Sequence, residues 1–234
     1  MSGRTITIPT PDGEFTGYLA RPGLSGSGPG VIVIQEIFGV NTEMRRICDM
    51  LAKEGFSALC PDLFWRIEHN IILTDHTEEE WGRAFELFQT VDVDKAVADI
   101  GSAITTMRSR PECRGEVGAM GFCLGGLLAY LTAARTDVDA AVGYYGVGIQ
   151  DRLAEADRIE APLMLHIAGK DQFVPPEAQE AMKEGLKNRP NITLHSYPDQ
   201  DHAFAREGGA HYDAAAAGEA NARTIAFLRE HLGG

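Results

Sequence analysis

The sequence predicts an α/β fold, a mostly parallel central sheet with helices on both faces. Three observations predict it. Short apolar runs rich in β-branched residues alternate along the chain with segments whose apolar residues recur at helical spacing. Strands separated by helices of about a dozen residues or more require right-handed crossovers, and therefore parallel neighbours. Finally, a strand ending near Met120 runs directly into a helix carrying Leu124, Leu127, Leu128 and Leu131, so that Cys123 falls on the turn between them.

The elements follow in order. Thr5 to Ile8 and Glu14 to Ala20 read as two strands joined at Pro11-Asp12-Gly13, which favours a tight turn and an antiparallel hairpin. Gly23 to Gly30 reads as a solvated loop; its glycines do not make a phosphate loop, because a strand and not a helix follows. Then come strand Val31 to Ile34, a helix from about Asn41 to Glu54, and strand Ser57 to Cys60. An excursion from Asp62 to Thr90 holds Thr77 three residues before Glu80 and ahead of Trp81, Phe85, Leu87 and Phe88, the signature of a capped helix. Its aromatic residues either line a pocket or pack on the sheet.

A helix carrying Val93, Val97, Ile100, Ile104 and Met107 ends near Arg110-Pro111, and strand Glu116 to Met120 leads to the Cys123 turn. Strands Ala140 to Tyr145 and Pro162 to Ile167 follow, then a helix after Pro175-Pro176, strand Ile192 to Tyr197, and a last helix with Ile225, Leu228 and Leu232 on one side. No repeat or low-complexity segment divides the chain. Residues 1–234 read as one domain.

Composition narrows the function. Apolar residues make up 44% of the 234, ample for a core, and no apolar run approaches the roughly eighteen residues of a membrane span. Met1 to Thr10 lacks the charged start and apolar middle of a secretory signal, so a cytoplasmic location is expected. A formal charge of −13 repels polyphosphates and argues against nucleic acid and anionic membranes as partners. The four cysteines, Cys48, Cys60, Cys113 and Cys123, form no C-x-x-C pair and no zinc-ligand pattern with the seven histidines, and are expected to be reduced thiols. Cys48 shares a helical stripe with Met44, Ile47 and Leu51, which makes it a core residue.

The Gly121-Phe122-Cys123-Leu124-Gly125 turn carries chemistry. A nucleophile at the apex of a strand-to-helix turn stands clear at the end of the sheet, and glycines two before and two after it leave room for strand and helix to approach. Sulfur at the first turn of a helix also meets unpaired N–H groups and the positive end of the helix dipole, which favour thiolate. Acyl transfer from such a nucleophile needs a base and an orienting acid. Asp171 follows the strand Leu163 to Ile167, and His202 follows the strand ending near Tyr197. The order nucleophile, acid, histidine is that of α/β-hydrolases. Asp199 and Asp201 compete with Asp171, but a loop from a neighbouring strand more easily reaches the far ring nitrogen. His166 and His195, inside strands, read as structural, and His69, His76, His211 and His231 have no strand-end placement.

Several separated motifs then agree in order: Gln35-Glu36-Ile37-Phe38-Gly39-Val40-Asn41, Cys60-Pro61-Asp62-Leu63, Gly121-Phe122-Cys123-Leu124-Gly125-Gly126, Gly143-Tyr144-Tyr145-Gly146-Val147-Gly148, Gly169-Lys170-Asp171-Gln172-Phe173-Val174-Pro175 and His202-Ala203-Phe204-Ala205-Arg206. Together they resemble the dienelactone hydrolase (carboxymethylenebutenolidase) family over nearly the whole chain. The resemblance implies an α/β-hydrolase fold, cytoplasmic aromatic degradation, a monomer, no cofactor or metal, and a Cys123–His202–Asp171 triad working on a small ester or lactone. It implies that Glu36 partners the cysteine until substrate displaces it, and that the backbone N–H groups of Ile37 and Leu124 form the oxyanion hole.

It also places Arg206, Tyr145, Trp81, Arg83, Phe85 and Phe38 around the substrate. Here the chain departs from the pattern. Of the family's two carboxylate-gripping arginines one matches Arg206, whereas Trp81 stands at the other position with Arg83 two residues on; a tyrosine and a tryptophan of the same helix read as Phe85 and Phe88. Two substrate expectations therefore stand side by side: a dienelactone or related enol-lactone, and a different, uncharged ester or lactone. A further alternative keeps the fold but uses Cys123 as a redox-sensing thiol, although no resolving cysteine is evident nearby.

Overall fold

Residues 3–23 and 26–233 are described by a computed structural model. Eight strands form one sheet in the order β1-β2-β4-β3-β5-β6-β7-β8. β1 (Arg4–Thr10) and β2 (Gly13–Ala20) make the expected hairpin, and β2 also runs antiparallel to β4 (Ser57–Pro61). From β4 onward the pairs are parallel, through β3 (Gly28–Ile34), β5 (Cys113–Phe122), β6 (Ala140–Tyr144), β7 (Leu163–Ala168) and β8 (Ile192–Tyr197). Of the loop expected over Gly23 to Gly30, Leu24 and Ser25 lie outside the described residues, and Gly28–Gly30 already belong to β3.

The period-two alternation of strands sorts side chains into two cores. Val31 and Val33 of β3 pack on one face against α1 (Thr42–Lys53) and α6 (Ala214–Leu232). Ile32 and Ile34 pack on the other, beneath α3 (Val93–Arg108), α4 (Leu124–Arg135) and α5 (Pro176–Leu186). The helix of the excursion, α2 (Glu78–Thr90), opens at the expected cap, with Thr77 Oγ1 accepting from the Glu80 N–H at 3.2 Å. Glu80 does not close the reciprocal half of a capping box; its carboxylate takes the N–H and hydroxyl of Thr74 instead. A 3₁₀ segment, Ile149–Arg158, fills the crossover between β6 and β7, where the sequence shows no helical run long enough to predict one.

Topology decides where a site can form. From β3 the chain moves to β4 on one side and then crosses to β5 on the other, so the carboxyl ends of β3 and β5 flank the point where strand order reverses. Loops leaving two adjacent strands in opposite directions open a crevice there. Glu36 and Ile37 follow β3, and Cys123 follows β5. Gln35, fully buried, fixes the first of these loops by accepting from the Leu63 N–H at 3.0 Å and donating to its neighbour's carbonyl, Glu36 O. Among the described residues no helix is long and apolar enough to cross a membrane, no group of three or more His, Cys, Asp or Glu is placed to hold a metal ion, and the four cysteines are free thiols.

Candidate active site

Cys123 occupies the turn between β5 and α4 with φ 56° and ψ −115°, a backbone state that side chains rarely adopt. The flanking glycines make it reachable. A Cβ on Gly121 would lie 2.0 Å from the Gly125 carbonyl oxygen, and one on Gly125 would lie 2.4 Å from the Ile34 carbonyl oxygen. The Cys123 N–H is held by the Tyr144 carbonyl at 3.0 Å, pinning the turn to the neighbouring strand. Leu124, the first residue of α4, presents one of the N–H groups that a helix start leaves unpaired. Ile37 lies in the facing loop after β3, in the wall of the same cleft.

Asp171 and His202 arrive from the loops after β7 and β8. Asp171 Oδ2 lies 2.7 Å from His202 Nδ1, and Asp171 Oδ1 accepts the Phe173 N–H at 2.8 Å, so both oxygens are fixed. Both residues are buried, Asp171 at 3% exposure and His202 at 7%. Burial disfavours the charged ring, but the Coulombic influence of Cys123 and the hydrogen bond and charge of Asp171 outweigh it and raise the His202 imidazolium to about 10. The competing acids are engaged elsewhere: Asp201 accepts the His202 backbone N–H, and Asp199 pairs with Lys170 at the surface. His166, as a strand residue, is structural in its contacts, held between the Tyr197 and Thr224 hydroxyls at 2.9 Å each.

The cleft above Cys123 spans about 420 Å³, the open space at its mouth included. Its walls are largely aromatic: Phe38, Trp81, Phe85, Phe88 and Phe173. Trp81 stacks on Phe85 at 5.5 Å and meets the edge of Phe38 at 5.1 Å, while Phe173 stands edge-on to His202 at 4.8 Å. The aromatic residues of α2 thus line a pocket. Phe173 was not among the expected substrate contacts, although its place two residues after Asp171 could have suggested it.

Three placements differ from expectation. Arg83 is not at the cleft; it is half-exposed and pairs with Glu68 and Glu86. On a helix, residues 81, 85 and 88 share one face, and residue 83 lies about 200° around from 81. Tyr145 does not line the cleft either. It sits behind it at 2% exposure, edge-on to His202 at 5.0 Å and with φ 38°, and burial followed by the nearby Glu36 charge pushes its hydroxyl well above the usual range. Glu36, third, makes no hydrogen bond to Cys123: its Oε2 accepts from Arg206 Nη1 at 3.0 Å, and its Oε1 is buried without a partner.

Arg206 lies in the cleft wall, as expected, but already spoken for. Besides Glu36 it donates from Nη2 to Asp75 Oδ2 at 2.8 Å, and its guanidinium carbon sits 5.2 Å from the Phe38 ring centre. Asp75 had no distinguishing signal in the sequence, being one acidic residue of many in the excursion.

Known proteins share this arrangement of chain. The model of the Dienelactone hydrolase family matches residues 15–232. A protein of Azospirillum brasilense is 50% identical, covering 97% of this chain and 99% of its own. The carboxymethylenebutenolidase of Pseudomonas putida is 38% identical over 95% of this chain and 94% of its own. A solved structure from Klebsiella pneumoniae superimposes with a TM-score of 0.85 at 28% identity, covering 97% of both chains. With the fold, the turn bearing Cys123 and matches spanning almost every residue in agreement, the chain belongs to the dienelactone hydrolase family and is a hydrolase of ester or lactone bonds.

Proposed function

We propose that this hydrolase opens small lactones, or cleaves small esters, through a thioester formed on Cys123. The Cys123 sulfur adds to the carbonyl carbon, and the oxygen takes up the negative charge facing the N–H groups of Ile37 and Leu124. The tetrahedral intermediate collapses, breaking the carbonyl carbon–oxygen bond, and the His202 imidazolium gives its proton to the departing alkoxide or enolate. In a lactone that oxygen stays tethered to the acyl group. Neutral His202 then takes a proton from water, hydroxide adds to the thioester, and the thiolate leaves as the acid is released. Asp171 holds the ring by Nδ1 and supports its charge. The chain's own groups perform each step.

The observation that carries this reading is the 2.7 Å contact between Asp171 and a buried His202 that lines the same cleft as Cys123. The test is acyl trapping. Denaturing the enzyme during turnover of a slow aryl ester should yield the Cys123 peptide carrying the acyl mass; turnover that persists in Cys123→Ala, with no acylated peptide in the parent enzyme, would refute the mechanism.

A further inference from the structure

We propose that Asp75 closes the anion-binding position of the cleft by holding the Arg206 guanidinium, so that the preferred substrates are uncharged, planar lactones or aryl esters and not carboxylated ones. The inference rests on the ester and lactone chemistry proposed for Cys123 and adds the class of molecule admitted to it. Arg206 is the sole Arg or Lys among the described residues that line the cleft. One of its terminal nitrogens is bound to Glu36 and the other to Asp75, and the side chain is only 10% exposed. Two of the five N–H groups of the guanidinium are taken by these carboxylates, and the Nε–H is buried away from solvent without a partner. A substrate anion would have to displace Glu36 on the cleft side or compete with Asp75 for the guanidinium.

Charge adds to the steric argument. Glu36 and Asp75 are two carboxylates around one guanidinium, which leaves the group one negative charge in excess. Asp75 reaches Arg206 from outside: it lines a neighbouring cavity of about 630 Å³ that shares Phe38 and Arg206 with the catalytic cleft, and it is not itself in the cleft wall. Trp81 reinforces this placement. Its indole N–H donates to the Asp75 carbonyl oxygen at 3.0 Å, so the ring standing where a second arginine is expected instead anchors the residue that occupies the first. Arg83 is turned away and cannot substitute. What remains for a substrate is a slot of aromatic faces, which suits a flat, neutral molecule.

The test compares one enol-lactone bearing a carboxylate with its carboxamide, in the wild-type enzyme, Asp75→Asn and Asp75→Ala. The wild type should favour the carboxamide in kcat/KM, and both variants should shift the carboxylate-to-carboxamide ratio upward by about tenfold, the effect of deleting one nearby charge in a half-buried site. A purely structural role would lower both substrates together and leave the ratio unmoved. A second readout needs no turnover: the rate at which iodoacetate alkylates Cys123, relative to iodoacetamide, should rise in the same variants. A wild-type preference for the carboxylate, or ratios unchanged in both variants, would overturn the inference while leaving the thioester mechanism standing. A shifted alkylation ratio in an enzyme whose turnover survives Cys123→Ala would support the inference and refute the mechanism alone.

Discussion

Asp171→Asn separates the charge of the triad from its shape. In the native site Oδ1 accepts the Phe173 N–H and Oδ2 faces His202 Nδ1. Asparagine can keep the first bond with its carbonyl, which turns its NH₂ toward the imidazole. Nδ1 must then accept, the ring proton moves to Nε2, and the nitrogen facing Cys123 can no longer take up a proton. Removing one partner of a buried charge pair costs about 3–5 kcal/mol. At about 1.4 kcal/mol per factor of ten, kcat/KM should fall roughly 10²- to 10⁴-fold. The sign of the pH effect is also set. Asp171 is one of the groups that raise His202 to about 10, so its neutralisation lowers the proton affinity of the ring, and the alkaline limb of kcat/KM should move to lower pH. Steady-state hydrolysis of a small activated ester across the alkaline range measures both quantities. A loss smaller than about tenfold, with an unmoved alkaline limb, would mean that Asp171 does not govern His202.

Other consequences are open to measurement. Gly121→Ala and Gly125→Ala should abolish soluble, folded enzyme, because each new Cβ meets backbone oxygen at 2.0 Å or 2.4 Å; near-native circular dichroism and activity would contradict this. Asp99→Ala strips the buried carboxylate that binds Arg66 and the Trp65 indole N–H; Arg66 is partly exposed and keeps Asp12, so stability in urea should fall by about 1–3 kcal/mol, the cost of the lost hydrogen bonds. His166 is kept neutral, down to about 3, by burial and then by the charges of His195 and Arg223, whereas an unfolded histidine protonates near ~6.5. Its contribution is whole above that value and is lost as pH falls toward 3, so wild-type stability should decline over the window by up to about 1.4 kcal/mol per pH unit more steeply than that of His166→Gln in urea titrations.

Much of the fold was legible because its signals are local. The glycine pair around Cys123, the period-two strands, and Thr77 as a helix cap each depend on residues within one turn of chain, and the structure places them as read. The order Cys123, Asp171, His202 was legible as well, since strand-end position follows from element order alone. Arg83 shows a local signal passed over: the helical spacing of Trp81, Phe85 and Phe88 already puts it on the opposite face. Tyr145 lies one residue beyond β6 at positive φ, where strand alternation no longer says which way a side chain points.

By itself, the sequence determined which family the chain belongs to, which turn bears the sulfur, and which loops bring the acid and the imidazole toward it. Tertiary structure alone decided the state of Arg206. Its partners Glu36 and Asp75 lie 170 and 131 residues away along the chain and meet it only because loops from separate elements converge over one crevice. A guanidinium binds whichever carboxylates folding brings within about 3 Å, and no spacing in the chain encodes that distance.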